Sequence, residues 1–437
     1  MPEWTLIGVL ALEFVINSSN SNIAPYLPRL ASHKGLSSWD TGIIIASTPL
    51  AACLCLPIYG TLMAKIGRKK ILLTCIGFEV LNIAILSTLP EYDTTSFIVI
   101  GIIIRCIEGF SSAGISAMSL GILTNAYKDK ISQVIGMQQA VIGISLILGP
   151  IIGSVLYRIG EFTAIFLTYS VFLLLMIPLI FWSVPKDSPY ENPPIPVSWN
   201  AILKMRTTLM DFISIFIAYF ASSSIDPTLS NFITNNFSIS DANVGFFFCI
   251  TTSCFTVSIL ILSRFKGVLK YKVLILLNLL ILAFSLFAIG PISVLHIPPN
   301  FANLSLSLAL IGIGLSFGMV SFLPDMAADA FMKAPYLEKS HVLDKLSALL
   351  ALGVWSGRAA GPPISGYLRD HMEFQDSEAI IGFVVFIYMF AFGIYGGGFQ
   401  LIKNIKKKAN RIEAILIESE MIEAKRSFYY LEEEETF

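Results

Sequence analysis

Seven charged side chains interrupt long apolar stretches of the sequence, and their types indicate ion binding and proton transfer. They are Glu13, Glu79, Arg105, Glu108, Asp226, Asp325 and Arg358. A charge within a membrane-spanning segment costs several kcal/mol, so each of these residues is a functional hypothesis by default. The five acids outnumber the two bases. This surplus favours a site for a small cationic organic molecule, because an anion carrier would show the reverse.

Glu13 and Asn17 stand one helical turn apart, followed by Ser18, Ser19 and Asn20. Residues four apart share a helix face. A carboxylate beside carboxamides and hydroxyls could bind an ammonium group, which predicts substrate contact. The alternative is that this polar patch only holds a neighbouring helix.

Arg105 and Glu108 stand three apart and can pair on one helix face. A carboxylate beside a fixed positive charge could bind and release a proton as its hydration changes. This predicts a role in proton coupling. The alternative is a static buried ion pair that fixes helix packing.

Two further acids stand next to prolines. Asp226 precedes Pro227, where the helix is expected to break, and could attract an amine or gate the passage. The alternative is that Asp226 only ends a helix. Asp325 follows Pro324 and is assigned to the same substrate site.

The remaining candidates are two aromatic residues and two charges. Trp355 and Tyr219 could offer cation–π contacts to a substrate, although aromatic packing is the alternative for each. Arg358 is expected to neutralise one of the acids across the cavity and joins the proton-coupling group. Glu79 is expected to be protonated and to face lipid or a neighbouring helix.

The elements that position these residues follow from composition. Apolar residues make up 55% of the 437-residue chain, and charged residues make up 14%, well below the roughly 25% of soluble proteins. Apolar runs of spanning length must be helical, because lipid cannot satisfy an open backbone. The sequence therefore predicts an all-α membrane protein with twelve transmembrane spans: 4–28, 41–64, 71–89, 97–124, 134–157, 162–183, 208–234, 243–262, 273–292, 303–330, 344–367 and 378–402.

The basic residues predict the orientation of the chain. Most of the 29 Lys and Arg residues fall in loops and in the tail on one side, and only Arg29, Lys34, Arg158 and Arg369 fall on the other. Because basic loops stay in the cytosol, both termini are expected to be cytosolic.

The chain divides into two similar halves. Ile23-Ala24-Pro25-Tyr26-Leu27 in span 1 matches Ile225-Asp226-Pro227-Thr228-Leu229 in span 7, and Gly149-Pro150 in span 5 matches Gly361-Pro362 in span 11. We predict six-helix halves at 1–183 and 208–402, a proline-rich linker at 184–207 and a cytosolic tail at 403–437. Internal repeats with a site at their interface are typical of secondary transporters.

The segment Gly60 to Lys70, with Gly67 and Arg68, resembles the signature loop of the major facilitator superfamily. That family usually has Asp at the position of Ala64, where it latches the cytosolic gate, and this chain lacks the carboxylate. Gly149, Pro150 and Gly153 resemble the motif of the family's antiporters. The resemblance implies gating roles for Gly60, Gly67, Arg68, Gly149, Pro150, Gly361 and Pro362.

Within that superfamily the chain resembles the vesicular amine transporters, above all their polyamine branch. The likeness rests on Ala24 to Pro28, Asp226 to Ser230, and Trp355-Ser356 with Gly361-Pro362. It implies alternating access that exchanges protons for an organic amine, in an intracellular vesicle membrane rather than the plasma membrane. Two positions depart from the pattern: Glu13 lies about one turn from the acid of the monoamine carriers, and Arg358 replaces a small residue.

Other functions remain open. A drug or metabolite efflux carrier would have the same fold, as would a receptor-like member that no longer transports. No metal-ligand set, nucleophile–base pair or phosphate loop is recognisable, so we expect neither an enzyme nor a cofactor. A net charge of −1 gives no reason to expect nucleic acid, and a monomer in the lipid bilayer is expected.

Overall fold

A computed structural model describes residues 2–127, 131–185, 205–264, 270–289, 300–333 and 339–399. The predicted tail at 403–437 and most of the predicted linker at 184–207 lie outside the described residues. Twelve spans are helical, as predicted. In chain order their helices are Pro2–Asn20 continued by Ile23–His33, Ser38–Ile66, Arg68–Leu86, Thr94–Ala126, Ile131–Ser183 (which holds spans 5 and 6), Arg206–Ser223 continued by Leu229–Phe237, Gly245–Arg264, Tyr271–Ile289, Phe301–Lys333, Lys339–His371 and Phe374–Tyr395.

Spans 5 and 6 follow each other directly in the helical segment Ile131–Ser183, which is broken in its middle. Gly160 and Glu161 leave helical geometry, with φ of −162° and 53° respectively. A positive φ is unusual for a residue with a side chain. The break therefore separates the two spans where the sequence predicts their loop, between 157 and 162.

Spans 1, 7 and 11 are the least apolar of the twelve. Eight described helices are long and apolar enough to cross a membrane, and the longest, Gln133–Ser183, contains two spans. The other three spans fall short because spans 1 and 7 are interrupted and all three carry polar side chains. Polar residues at membrane depth face a bundle interior or a water-filled cavity, so these three spans are expected to line one.

Each half has its own apolar core. One cluster of buried side chains runs from Val9 to Val184, and a second runs from Ile215 to Phe392. Trp355 of span 11 is an exception, because it packs against the core of the first half. Two separate cores are what two halves that move against each other require.

The glycine–proline motifs hold equivalent helices together in the two halves. A Cβ atom at Gly149 would lie 2.1 Å from Ser21 Oγ, so span 5 packs closely on span 1. A Cβ atom at Gly361 would lie 2.2 Å from Ser223 Oγ, so span 11 packs in the same way on span 7. Small residues allow such close approach of membrane helices.

Polar contacts join the halves at the end of the bundle that holds Arg29, Asp241 and Asp370, which we call the distal end. Arg29 Nε lies 2.8 Å from Asp241 Oδ1. The backbone N–H groups of Ser38 and Trp39 donate to the two carboxylate oxygens of Asp370, at 2.8 and 2.9 Å. These contacts tie span 1 to the span 7–8 connection and span 2 to span 11, as expected for a carrier closed at that end.

Candidate functional site

A cavity of about 260 Å³ lies between the two halves. Spans 1, 2, 4 and 5 of the first half and spans 7, 8 and 11 of the second half contribute to its wall. Hydroxyl and carboxamide groups are frequent in the wall. The charged side chains that line it are Arg105, Glu108, Asp226 and Arg358.

The surplus of acids on which the predicted cation site was based is not found in the cavity wall. Glu13, Glu79 and Asp325 are absent from the described lining, so the wall carries two acids and two bases. A surplus counted along the helices is therefore not a surplus in the cavity. Any preference for a cation has to come from how the four charges are arranged.

The two charges on span 4 are joined to each other. Arg105 Nη1 donates a short hydrogen bond to Glu108 Oε2, and both side chains are almost fully buried. Span 2 supports the pair, because Thr48 Oγ1 donates to the backbone oxygen of Arg105 at 2.9 Å. Gly109 permits this approach, since a Cβ atom there would lie 2.1 Å from the Thr48 carbonyl oxygen. The predicted pairing of Arg105 and Glu108 is confirmed.

Asp226 lies at the break in span 7. The helix Arg206–Ser223 ends just before it and the helix Leu229–Phe237 begins just after it, so the carboxylate is presented to the cavity from irregular backbone. Among the described residues Asp226 has no ion pair, although Arg358 and Arg105 lie within electrostatic range. The alternative that Asp226 only ends a helix does not account for this position.

Span 11 contributes Trp355 and Arg358 to the wall. The two residues are three apart and therefore share a face of the helix. Arg358 is exposed to the cavity, and no carboxylate of a described residue forms an ion pair with its guanidinium group. Asp226 lies within electrostatic range of Arg358, on span 7 of the same half. The predicted partner of Arg358 across the cavity stays a prediction.

The polar patch on span 1 is split between the wall and the layer behind it. Asn17 lines the cavity. Glu13 is 0% exposed and accepts hydrogen bonds from Asn17 Nδ2 at 3.1 Å and from Gln138 Nε2 of span 5 at 3.0 Å. Direct contact between Glu13 and a substrate does not fit this placement. Glu13 instead orients Asn17 and ties span 1 to span 5.

Tyr219 and Asp325 also lie outside the cavity wall, contrary to the substrate roles expected for them. The Tyr219 hydroxyl is directed at Met319 Sδ, 3.7 Å away. Asp325 Oδ2 lies 3.5 Å from Lys272 Nζ, near the end of the bundle opposite the distal end. Neither residue lines this cavity, and their substrate roles stay predictions.

The residues expected to act in gating occupy helix junctions and helix contacts. Gly67 has a φ of 90° between spans 2 and 3, a conformation that glycine adopts readily, and Arg68 begins span 3. Gly60 lies within the helix Ser38–Ile66, and its contacts are not among those that the structure describes. Pro150 lines the cavity. Pro362 of span 11 packs closely on span 2, because a Cβ atom on Gly42 would lie 2.4 Å from the Pro362 carbonyl oxygen. Their gating roles stay predictions.

Two buried acids extend the site beyond the residues that the sequence placed in it. Glu378 at the start of span 12 is 0% exposed, accepts a hydrogen bond from Ser224 Oγ at 2.7 Å, and lies within electrostatic range of Asp226. Glu79 on span 3 is fully buried within electrostatic range of Glu108 and Arg105. The lipid-facing alternative for Glu79 is therefore wrong, and the interhelical one is confirmed.

Comparisons with characterised proteins place this geometry in a family. The human MFS-type transporter SLC18B1 is 26% identical over 407 residues, which cover 91% of this chain and 86% of that protein. A multi-drug resistance efflux pump PmrA homolog of Lactococcus lactis is 24% identical over 384 residues, covering 86% of this chain and 90% of that protein. The mouse synaptic vesicular amine transporter is 23% identical over 382 residues, covering 85% and 69% respectively.

Solved structures support the same assignment at the level of the fold. A point mutant of the nucleoside transporter NupG superposes with a TM-score of 0.71 at 14% identity, covering 90% of this chain and 99% of that one. Such low identity carries the fold alone. Residues 9–331 match the sequence model of the Major Facilitator Superfamily. With two six-helix halves around a central polar cavity, the chain belongs to the major facilitator superfamily, whose members are transporters and not enzymes.

Proposed function

We propose that this secondary transporter exchanges protons for a small organic amine by alternating access. The observation that carries the proposal is Asp226, a cavity-facing carboxylate without an ion-pair partner among the described residues. An unpaired carboxylate at membrane depth is costly. An ammonium group on the substrate is the counter-charge that fits it. The similarity to a synaptic vesicular amine transporter supports the same choice.

Proton coupling is assigned to Arg105 and Glu108. Their pairing in the wall means that a proton added to Glu108 weakens its hold on Arg105, and a proton lost restores it. Such a pair has two arrangements that a change in hydration can interconvert. Glu79, within range of both groups, is an additional acceptor behind them.

The proposed direction follows from the basic loops. With both termini in the cytosol, the distal end faces the interior of a vesicle, and a pH gradient across the vesicle membrane supplies the driving force. Protons leave the vesicle as the amine enters it. An intracellular vesicle membrane is therefore the proposed location.

The experiment uses purified full-length protein in liposomes with an acidic interior. We expect uptake of labelled serotonin that collapses when nigericin dissipates the gradient. Addition of the unlabelled amine outside should raise the internal pH, read by an encapsulated dye. Uptake that persists after collapse of the gradient contradicts antiport, and liposomes without protein give the leak rate.

A second candidate function is efflux of drugs or metabolites, supported by the similarity to the Lactococcus lactis pump. A tagged protein at the plasma membrane, together with uptake of hydrophobic drugs rather than polar amines, would favour it. The cavity-facing carboxylate of Asp226, which has no ion-pair partner among the described residues, favours the amine.

A further inference from the structure

The two guanidinium groups of the cavity wall differ in what they contact. Arg105 is 5% exposed and is held by Glu108. Arg358 is exposed to the cavity and forms no ion pair with a described residue. Because an arginine at membrane depth is unfavourable without a compensating group, Arg358 calls for a partner that the described protein does not supply at close range.

The packing of span 11 directs Arg358 into the cavity. Gly357 and Gly361 lie against span 7, where Cβ atoms would come within 2.4 Å of the Phe216 oxygen and 2.2 Å of Ser223 Oγ. These two glycines therefore occupy the face that packs on span 7. Trp355 and Arg358 occupy the neighbouring face, and both line the cavity. The arginine cannot turn toward span 7 without disturbing this contact.

An amine without a carboxylate would leave the guanidinium group of Arg358 without a partner. It would neutralise Asp226 but would add a positive charge near Arg358, and like charges brought together are destabilising. A second ammonium group, as in a diamine, would increase the repulsion. Arg358 therefore acts against polycationic substrates, in the way that an unpaired charge excludes an unwanted ligand.

A ligand with charges of both signs satisfies both side chains. Arginine binds carboxylates through two parallel hydrogen bonds, which gives the contact direction as well as strength. Asp226 is left to accept the ammonium group. The volume of about 260 Å³ is just below the ~300–1,000 Å³ of typical small-molecule pockets, which suits a molecule of amino-acid size.

We propose that the substrate is an amine that also carries a carboxylate, with Arg358 binding the carboxylate and Asp226 binding the ammonium group. The proposal rests on the amine-transport function above and narrows its substrate class. Asn17 and Thr48, which line the wall of the first half, supply uncharged hydrogen-bonding groups around the bound molecule.

The test compares substrates that differ only by a carboxylate. Lysine, ornithine and 4-aminobutanoate are paired with their decarboxylated counterparts cadaverine, putrescine and propylamine. Exchange is measured in proteoliposomes preloaded with the unlabelled compound, without a pH gradient. We expect each carboxylate-bearing compound to exchange faster than its counterpart. In Arg358→Gln, kcat/KM for these compounds should fall about ten- to a hundredfold, the worth of a charge-assisted hydrogen bond, and should not fall for the counterparts.

Two further variants distinguish loss of the carboxylate contact from misfolding of the protein. Arg358→Lys retains the charge but not the paired hydrogen bonds, and should give an intermediate loss confined to the carboxylate-bearing compounds. Arg369→Gln is the matched control, because Arg369 lies at the distal end of the same span and donates to the Met372 oxygen. It should leave the preference unchanged.

Several outcomes overturn the proposal: preference for the decarboxylated compounds, equal exchange of both sets, no exchange of either, or an equal loss for both sets in Arg358→Gln. Failure of the proposed antiport gives a different result. In that case the carboxylate preference appears in exchange, but an imposed pH gradient drives no accumulation.

Discussion

The two halves of the carrier contribute charges to the cavity in opposite ways. In the first half, Arg105 and Glu108 are bonded to each other, and Glu13 is hydrogen-bonded behind the wall to Asn17 and Gln138. In the second half, Asp226 and Arg358 both face the cavity without an ion pair to any described residue. The internal repeat has thus kept the helices equivalent and made their chemistry different.

This difference between the halves indicates that they have different roles in transport. A charge that already has a partner contributes little new binding energy to a ligand, because the ligand must first displace that partner. A charge that faces the cavity alone gains most from a ligand. The second half is therefore suited to hold the substrate, and the first half is suited to change its charge state during the cycle.

The largest effect is expected from Asp226→Asn. Because this carboxylate is the proposed partner of the ammonium group, gradient-driven uptake and gradient-free exchange should both fall, by about ten- to a hundredfold in kcat/KM. The measurement is kcat/KM for exchange, with the labelled substrate that the wild-type protein exchanges fastest.

Asp325→Asn is the matched control for this variant. It makes the same substitution in the same half, but Asp325 lies outside the cavity beside Lys272. Its kcat/KM should stay within about threefold of wild type, since Asp325 is buried outside the cavity wall and does not line the proposed substrate site. An Asp226→Asn protein that exchanges as well as this control would remove the second half from substrate binding.

An intermediate effect is expected from Glu108→Gln. The amide cannot release a proton, so accumulation driven by a pH gradient should fall to the level reached without one. Exchange should stay within about threefold, a difference under ~0.7 kcal/mol, because the residue is not the proposed partner of the ammonium group. Parallel assays of accumulation and exchange on one preparation separate the two effects.

Glu108→Asp serves as the control for that variant. It retains an ionisable group near Arg105 and should keep part of the gradient-driven accumulation. If exchange and accumulation fell together in Glu108→Gln, Glu108 itself would be binding a charged group of the substrate, and the assignment of charge recognition to the second half would not hold.

The architecture was accessible from the sequence because lipid permits few alternatives. Apolar runs of this length must be helices, and the paired Gly-Pro motifs identify spans 5 and 11 before any contact is known. The pairing of Arg105 with Glu108 follows from their spacing on one helix. These predictions depend only on local chemistry and on the period of the helix.

Which charge faces the cavity depended on contacts between helices, and there the sequence was not sufficient. Glu13 and Asn17 share a face of span 1, yet Gln138 of span 5 holds Glu13 behind the wall. Glu378 was missed because the predicted start of span 12 was residue 378. The helix begins at Phe374, so an acid expected at the exposed end of the span is in fact buried inside it. Both errors concern depth and neighbours, which a single helix does not encode.

The smallest effect is expected from Glu13→Gln, which compares two residues of the same helix face. The amides of Asn17 and Gln138 can rotate to offer oxygens to the new amide, so the KM for exchange should stay within about twofold. Asn17→Ala, one turn away in the wall, would remove the hydrogen bond that we propose Asn17 makes to the substrate, and should raise KM about three- to tenfold. If Glu13→Gln raised KM as much as Asn17→Ala, a charge of the first half would be sensed by the substrate. Recognition of the substrate's charges would then be shared by both halves, and Asp226 and Arg358 would be only part of the charged site.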